Sequence, residues 1–183
     1  MQKQTFYGKY RGVVTSNKDP LGMARIQATV PDVLGTDESG WALPSAPFAG
    51  NKMGFVALPI VGSRVWIEFE QGDPDYPIWS GCWWGSKDEM PDEASSAPDG
   101  RVLIKTQGGQ ILILDDPAPN AITIQTSGGQ KIVLNNQSIT IDFGNGVTVE
   151  LSTAKIALND GAGATVELDG PKVAVNDDAL EVI

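Results

Sequence analysis

Few side chains in this sequence lend themselves to chemistry. Three close carboxylate pairs, Asp73/Asp75, Asp115/Asp116 and Asp177/Asp178, are of the type that glycoside hydrolysis uses as acid, base or nucleophile. Each pair falls where a turn is predicted, and Asp is common in turns for backbone reasons. Cys82 is the sole cysteine, so no intrachain disulfide forms. Its surroundings are not basic enough to hold a thiolate, and beside Trp83 and Trp84 it reads as a small buried hydrophobe. Histidine is absent, which removes the commonest general base, the commonest zinc ligand and every Ser-His-Asp or Cys-His set. Trp66, Trp79, Trp83 and Trp84 could stack nucleic-acid bases. Only Arg11 and Arg64 stand near them, however, and a net charge of −10 disfavours a phosphate partner. The expectation is a chain with no catalytic residue, no cofactor, no metal site and no nucleic-acid partner.

The elements that would carry these residues are strands. The chain has 183 residues with 21 glycines and 12 prolines, the composition of an all-β protein full of turns. No stretch is long and apolar enough to span a bilayer, and Met1-Gln2-Lys3-Gln4 leads into a strand without an apolar signal segment.

The last eighty or so residues are a repeat. Val102/Ile104, Ile122/Ile124, Ile139/Ile141, Ile156/Leu158 and Val173/Val175 recur at a spacing of 20 and then of 17 residues. The first interval is longer because Asp116-Pro117-Ala118-Pro119-Asn120 carries three extra residues. A glycine turn follows each of the first four, at Gly108-Gly109, Gly128-Gly129, Gly144-Asn145-Gly146 and Gly161-Ala162-Gly163. After each turn comes a second alternating run: Leu112/Leu114, Ile132/Leu134, Val149/Leu151, Val166/Leu168. A fixed-period supersecondary unit indicates a stacked array. Alternation puts Ile122, Ile124, Ile132, Leu134, Ile139, Ile141, Val147, Val149, Leu151, Ile156, Leu158, Val166, Leu168, Val173 and Val175 on one face. Thr123, Gln125, Lys131, Thr140, Asp142, Thr148, Glu150, Asn159, Glu167 and Asp169 fall on the other, which belongs in water.

Such a meander is unstable alone. Three copies around a threefold axis would turn the apolar faces inward as a prism, so the first set forms a trimer core. Nine or ten strands at roughly 4.8 Å make a shaft of roughly 45 Å. The final segment lacks glycines, and strict spacing would turn Glu181 inward; a one-residue shift instead turns Leu180 and Val182 inward. Leu180, Val182 and Ile183 then either finish the core or form an apolar platform for a partner. Two rival readings of such a sheet are a carbohydrate-active β-solenoid enzyme and a calcium-binding β-roll. The nonapeptide period of the latter does not match 17.

The boundary between halves is residues 87–100, polar, acidic and rich in Pro, Ser and Ala. Residues 1–86 before it, with strands at Phe6–Thr15, Met23–Val30, Trp41–Pro44, Gly54–Pro59, Arg64–Glu70 and Pro77–Trp84, fit a small Greek-key barrel of OB type, and several other small barrels fit the pattern equally well. No amphipathic helix is predicted. A single-strand-binding or other ligand-binding OB domain is the alternative reading of this half.

The barrel half resembles the OB domain of phage baseplate assembly protein V and Vgr-type spikes. Pro59, Gly62 and Val65 match its turn, and Phe69, Gly72, Asp73 and Pro77 match its F-x-x-G-D-x-x-x-P strand end; Gly81 closes the next strand. Tyr10–Val14 and Leu21–Pro31 are similar to its opening hairpin. The resemblance implies an OB barrel on residues 1–86, a linker on 87–100 and a trimeric β-helical spike on 101–183. It further implies the non-enzymatic central spike of a contractile injection machine: a phage tail, a type VI apparatus or an extracellular injection particle. The expected partners are two further copies, a baseplate hub at the barrel end and a PAAR-type tip protein at the C-terminal end. The particle would be assembled in the bacterial cytoplasm, and the target membrane touched only during injection. Some relatives carry a lysozyme domain between barrel and spike, where this chain has only the linker. The His-x-His iron apex of some short phage spikes is excluded by the lack of histidine.

Overall fold

The computed structural model describes residues 4–95, 99–116, 120–177 and 179–182. The chain divides into two compact units, Met1–Glu89 and Met90–Ile183.

The first unit is a barrel. Strands β1 (Tyr10–Ser16), β2 (Gln27–Thr29), β3 (Leu43–Pro44), β6 (Arg64–Phe69) and β7 (Pro77–Cys82) form one sheet in the order β2-β1-β6-β7-β3. Bridges Ile26–Ala42 and Thr29–Glu38 bring the chain leading to β3 back to the β2 side and close it. Between β3 and β6, β4 (Ala49–Gly50) and β5 (Met53–Gly54) pair only with each other. β6 alternates as its sequence predicts: Val65, Ile67 and Phe69 are buried with Val14, Ile26, Ala28, Val30 and Ala42. The five largest enclosed side chains, Val14, Ile26, Val30, Val65 and Ile67, each contribute about 1.5–3 kcal/mol by burial. Phe6, Tyr10 and Phe69 close one end with ring centroids 5.7–6.3 Å apart. Gly72 shows why that sequence needs glycine: its φ is +79°, and a Cβ would lie 3.1 Å from the Phe6 nitrogen.

Several expected strands are shorter. Residues 23–25 are held as a loop because the Asp19 carboxylate accepts N–H bonds from Leu21, Met23 and Arg25. Gly54–Pro59 is not a strand beyond Gly54; Phe55-Val56-Ala57-Leu58 has no alternation to hold a register. A single helical turn, α1 (Pro31–Leu34), stands where no helix was expected, with proline at its start and Gly35 at φ +61° ending it.

The second unit opens with α2 (Asp92–Ser95), a turn within the predicted linker, which packs on the first strand of a sheet. That sheet has ten antiparallel strands in sequence order. They are β8 (Arg101–Lys105), β9 (Ile111–Asp115), β10 (Asn120–Gln125), β11 (Lys131–Asn135), β12 (Ser138–Gly144), β13 (Val147–Ser152), β14 (Lys155–Asp160), β15 (Thr165–Asp169), β16 (Lys172–Val175) and β17 (Leu180–Val182). The fold is all-β apart from short helical turns, with the barrel first and the repeat second.

Candidate functional site: an unpartnered apolar face

Register decides what the repeat presents. Ile122 stands opposite Leu134, Ile124 opposite Ile132, Ile139 opposite Leu134 and Leu151, and Ile141 opposite Ile132 and Val149. The ladder continues through Val149–Leu158, Leu151–Ile156, Ile156–Leu168, Leu158–Val166, Leu168–Val173 and Val166–Val175. Val147 lies on the same face at its edge, opposite Asp160. Directly opposed residues share a face, so these side chains make one apolar stripe from strand to strand. β17 extends it, with Leu180 opposite Val175 and Val182 opposite Val173; Ile183 lies outside the described residues. β8 and β9 extend it at the other end through Val102–Leu114 and Ile104–Leu112, with Leu114 and Leu112 opposite Ile122 and Ile124. Within it Ile111-Leu112-Ile113-Leu114 is apolar at every position.

This face is uncovered in the single chain. Ile124, Ile132, Ile139, Ile141, Leu151, Ile156, Leu158, Leu168 and Val173 are 37–50% exposed. The opposite face is the more shielded: Thr140, Asp142, Thr148, Glu150 and Glu167 are half-buried, and Val133 and Ala174 are buried. Cross-strand ion pairs contribute there, Lys155 to Glu167 at 2.6 Å and Lys131 to Asp142 at 3.5 Å. The Glu167 carboxylate accordingly raises the Lys155 pKa. A sheet whose polar side is shielded and whose apolar side is open lacks its covering layer.

Turns lock the register. The Asn135 side-chain oxygen accepts the N–H of Gln137 and Ser138, both at 2.8 Å, and Asp160 does so for Ala162 and Ala164, which lowers its pKa. Successive glycine turns stack: at Gly161, φ is +74° and a Cβ would lie 2.3 Å from the Asn145 carbonyl oxygen.

The residues with chemical potential are otherwise engaged. Asp115 is not in a turn but ends β9, buried, with its carboxylate on the Arg101 guanidinium; Arg101 also donates to the Glu93 carbonyl at 3.0 Å. The Lys105 ammonium meets the Glu93 carboxylate at 2.9 Å. Asp73 accepts the Asp75 N–H, folding that pair into its own turn. Asp177 stands in a turn at φ +51°, and Asp178 lies outside the described residues. Cys82, the last residue of β7, is exposed rather than buried, although desolvation raises its thiol pKa. The guanidinium groups of Arg11 and Arg64 stand over Trp83, 4.8 and 5.1 Å from its ring centre, with the Trp66 ring at 5.7 Å. Trp79 donates to the Ala24 carbonyl at 3.1 Å. Among the described residues no three His, Cys, Asp or Glu side chains gather as a metal set.

A model of the type VI secretion and phage-baseplate injector OB domain matches residues 10–84, and one of the phage baseplate V C-terminal trimerisation domain matches residues 101–162. The chain belongs to the baseplate V spike family. Among its relatives are two type VI secretion system spike proteins of Pseudomonas aeruginosa. VgrG4b is 38% identical over 60 residues, 32% of this chain and 7% of that protein. VgrG1c is 26% identical over 113 residues, 57% of this chain and 16% of the relative. The actin cross-linking toxin VgrG1 of Vibrio cholerae is 44% identical over 48 residues, 26% of this chain and 4% of that protein. The chain thus matches no more than about a sixth of the length of these relatives.

Proposed function

We propose that the chain is the structural, non-enzymatic central spike of a contractile injection machine, built from three copies. The observation that carries this is the open apolar stripe of the ten-stranded sheet, in a segment that matches a trimerisation domain along most of its length. Three such faces turned to one axis would bury what the single chain exposes and leave the ion-paired face to water. The residues of the stripe would be the trimer core. The barrel, residues 1–86, would dock on a baseplate hub, residues 87–100 would link it to the shaft, and residues 101–183 would be driven into the target envelope. Leu180, which is 60% exposed on the last strand, would meet a PAAR-type tip protein together with Val182 and Ile183. Assembly would take place in the bacterial cytoplasm as part of a tail or tail-like particle. Among the described residues no helix is long and apolar enough to cross a membrane.

Light scattering on the full chain tests the assembly: a mass of three times 19.4 kDa is expected, and a concentration-independent monomer overturns it. Electron microscopy of particles made with and without the chain tests its place. Loss of the axial density below the baseplate, together with loss of injection, is the expected result.

A further inference from the structure

The segment between β3 and β6 is the least explained part of the barrel. From Leu43 to Val61 its one charged residue is Lys52, in a chain that is 20% charged. Its hairpin of β4 and β5 forms a sheet of its own, fastened by an N–H bond from Phe55 to the Phe48 carbonyl at 3.2 Å. Phe48, Met53 and Val56 are 57%, 66% and 75% exposed, and with Met23, Phe55 and Trp79 they line an apolar groove of about 770 Å³. An isolated two-stranded hairpin is marginal in water, and a contiguous apolar patch on one marks a surface that meets something.

We propose that this hairpin packs against the barrel of a second copy of this chain, so that the barrels as well as the repeats are held together by direct contact. The proposal rests on the trimeric reading above. The same chain carries the trimerisation segment, and the tether between its units is short. Glu89 is anchored in the first unit by Arg64 and by the Gly85 N–H, Glu93 in the second by Lys105, and only Met90–Asp92 lie between. Three joined repeats therefore hold three barrels at a local concentration of order millimolar, at which even a weak contact forms. The patch suits the barrel of a permanent neighbour: it offers one charge to a partner, and interfaces between permanent copies are the apolar ones.

The test uses the full chain alone, with Phe48 replaced by the photoreactive p-benzoylphenylalanine. Light scattering is measured first and irradiation follows. The expected result is a trimer that yields covalent dimers and trimers on denaturing gels, with the linked peptides inside residues 10–84 of another copy. Val56→Asp, at an exposed position, should cut that yield to below about a tenth while the mass stays trimeric. A trimer that gives only intrachain adducts, or cross-links undiminished by Val56→Asp, overturns this inference and leaves the spike intact. A monomer by scattering overturns the spike reading and this inference together. A small apolar molecule seen by native mass spectrometry, displaced by filling the groove with Ala57→Trp, makes it a ligand site instead and also overturns the proposal.

Discussion

Ile141 stands near the middle of the apolar stripe, opposite Ile132 on one side and Val149 on the other, and is 44% exposed in the single chain. Its sequence neighbour Thr140 points to the other face, opposite Val133 and Glu150. If three stripes meet at an axis, the exposed part of Ile141 becomes buried against its equivalents. Full burial of such a side chain is worth about 1.5–3 kcal/mol, so the part still open contributes roughly 0.7–1.3 kcal/mol per copy by area alone. Truncation to alanine then leaves a cavity as well, and Ile141→Ala should cost about 2–5 kcal/mol per copy, three times over in the assembly. If the face stays in water, the same change should cost well under about 1 kcal/mol, as for other solvent-facing sites.

The assay is urea unfolding of wild type, Ile141→Ala and Thr140→Ala at two protein concentrations tenfold apart. Trimer formation makes the transition depend on concentration, by about 2.7 kcal/mol per trimer for each tenfold dilution. The expected outcome is a large loss for Ile141→Ala, a shift within about 0.5 kcal/mol for Thr140→Ala, and midpoints that fall on dilution. Equal small effects for both variants, with midpoints independent of concentration, would refute the inference from face exposure to assembly.

Three other perturbations probe separate parts of the fold. Gly161→Ala should destabilise the repeat more than Gly129→Ala: both pay about 1–2 kcal/mol for positive φ, but only at Gly161 does the new Cβ strike backbone, as differences in urea midpoint would show. Arg101→Leu should cost about 3–5 kcal/mol because it strands the buried Asp115 carboxylate, whereas Arg101→Leu with Asp115→Leu should recover most of that loss in the same measurement. Asp19, held well below its ordinary 3.8 by the Arg25 guanidinium, stabilises the barrel at pH values above 3.8, and that stability is lost as pH falls toward the lowered folded value; acid unfolding of Asp19→Asn followed by tryptophan fluorescence should be flatter across that window.

The repeat was legible because two simple signals coincide in it. Alternation assigns Ile122, Ile139 and Ile156 to a face, and turns with glycine or Asn leave only one register between neighbouring strands. Where either signal weakened, less was legible. The run Ile111–Leu114 is apolar at every position, so only its place in the repeat assigns Leu112 and Leu114 to the stripe, and the one-turn helix α2 has no periodicity to see. Asp115 looked like a turn residue until its partner was known. Arg101, fourteen positions earlier, comes opposite it only through the β8–β9 pairing. In the barrel, Asp19 replaces ladder bonds with carboxylate bonds over residues 21–25, and nothing in the residue order of Met23–Arg25 announces it.

An open apolar face could in principle be covered by one further sheet or by two, and strand length bears on which. The strands from β8 to β15 are five to seven residues long, and five or six residues span roughly 17–20 Å. Three faces of that width closed into a triangle lie roughly 5–6 Å from their common axis. Two sheets packed face to face stand about 10 Å apart, so each supplies about 5 Å of side chain. A three-sided prism made of these strands therefore has room for one layer of Ile, Leu and Val from each face and for little else. Strands of nine or ten residues would open a central channel, and strands of three would leave no space for an isoleucine. The width of the strands and the size of the side chains on the stripe thus fit the three copies proposed above.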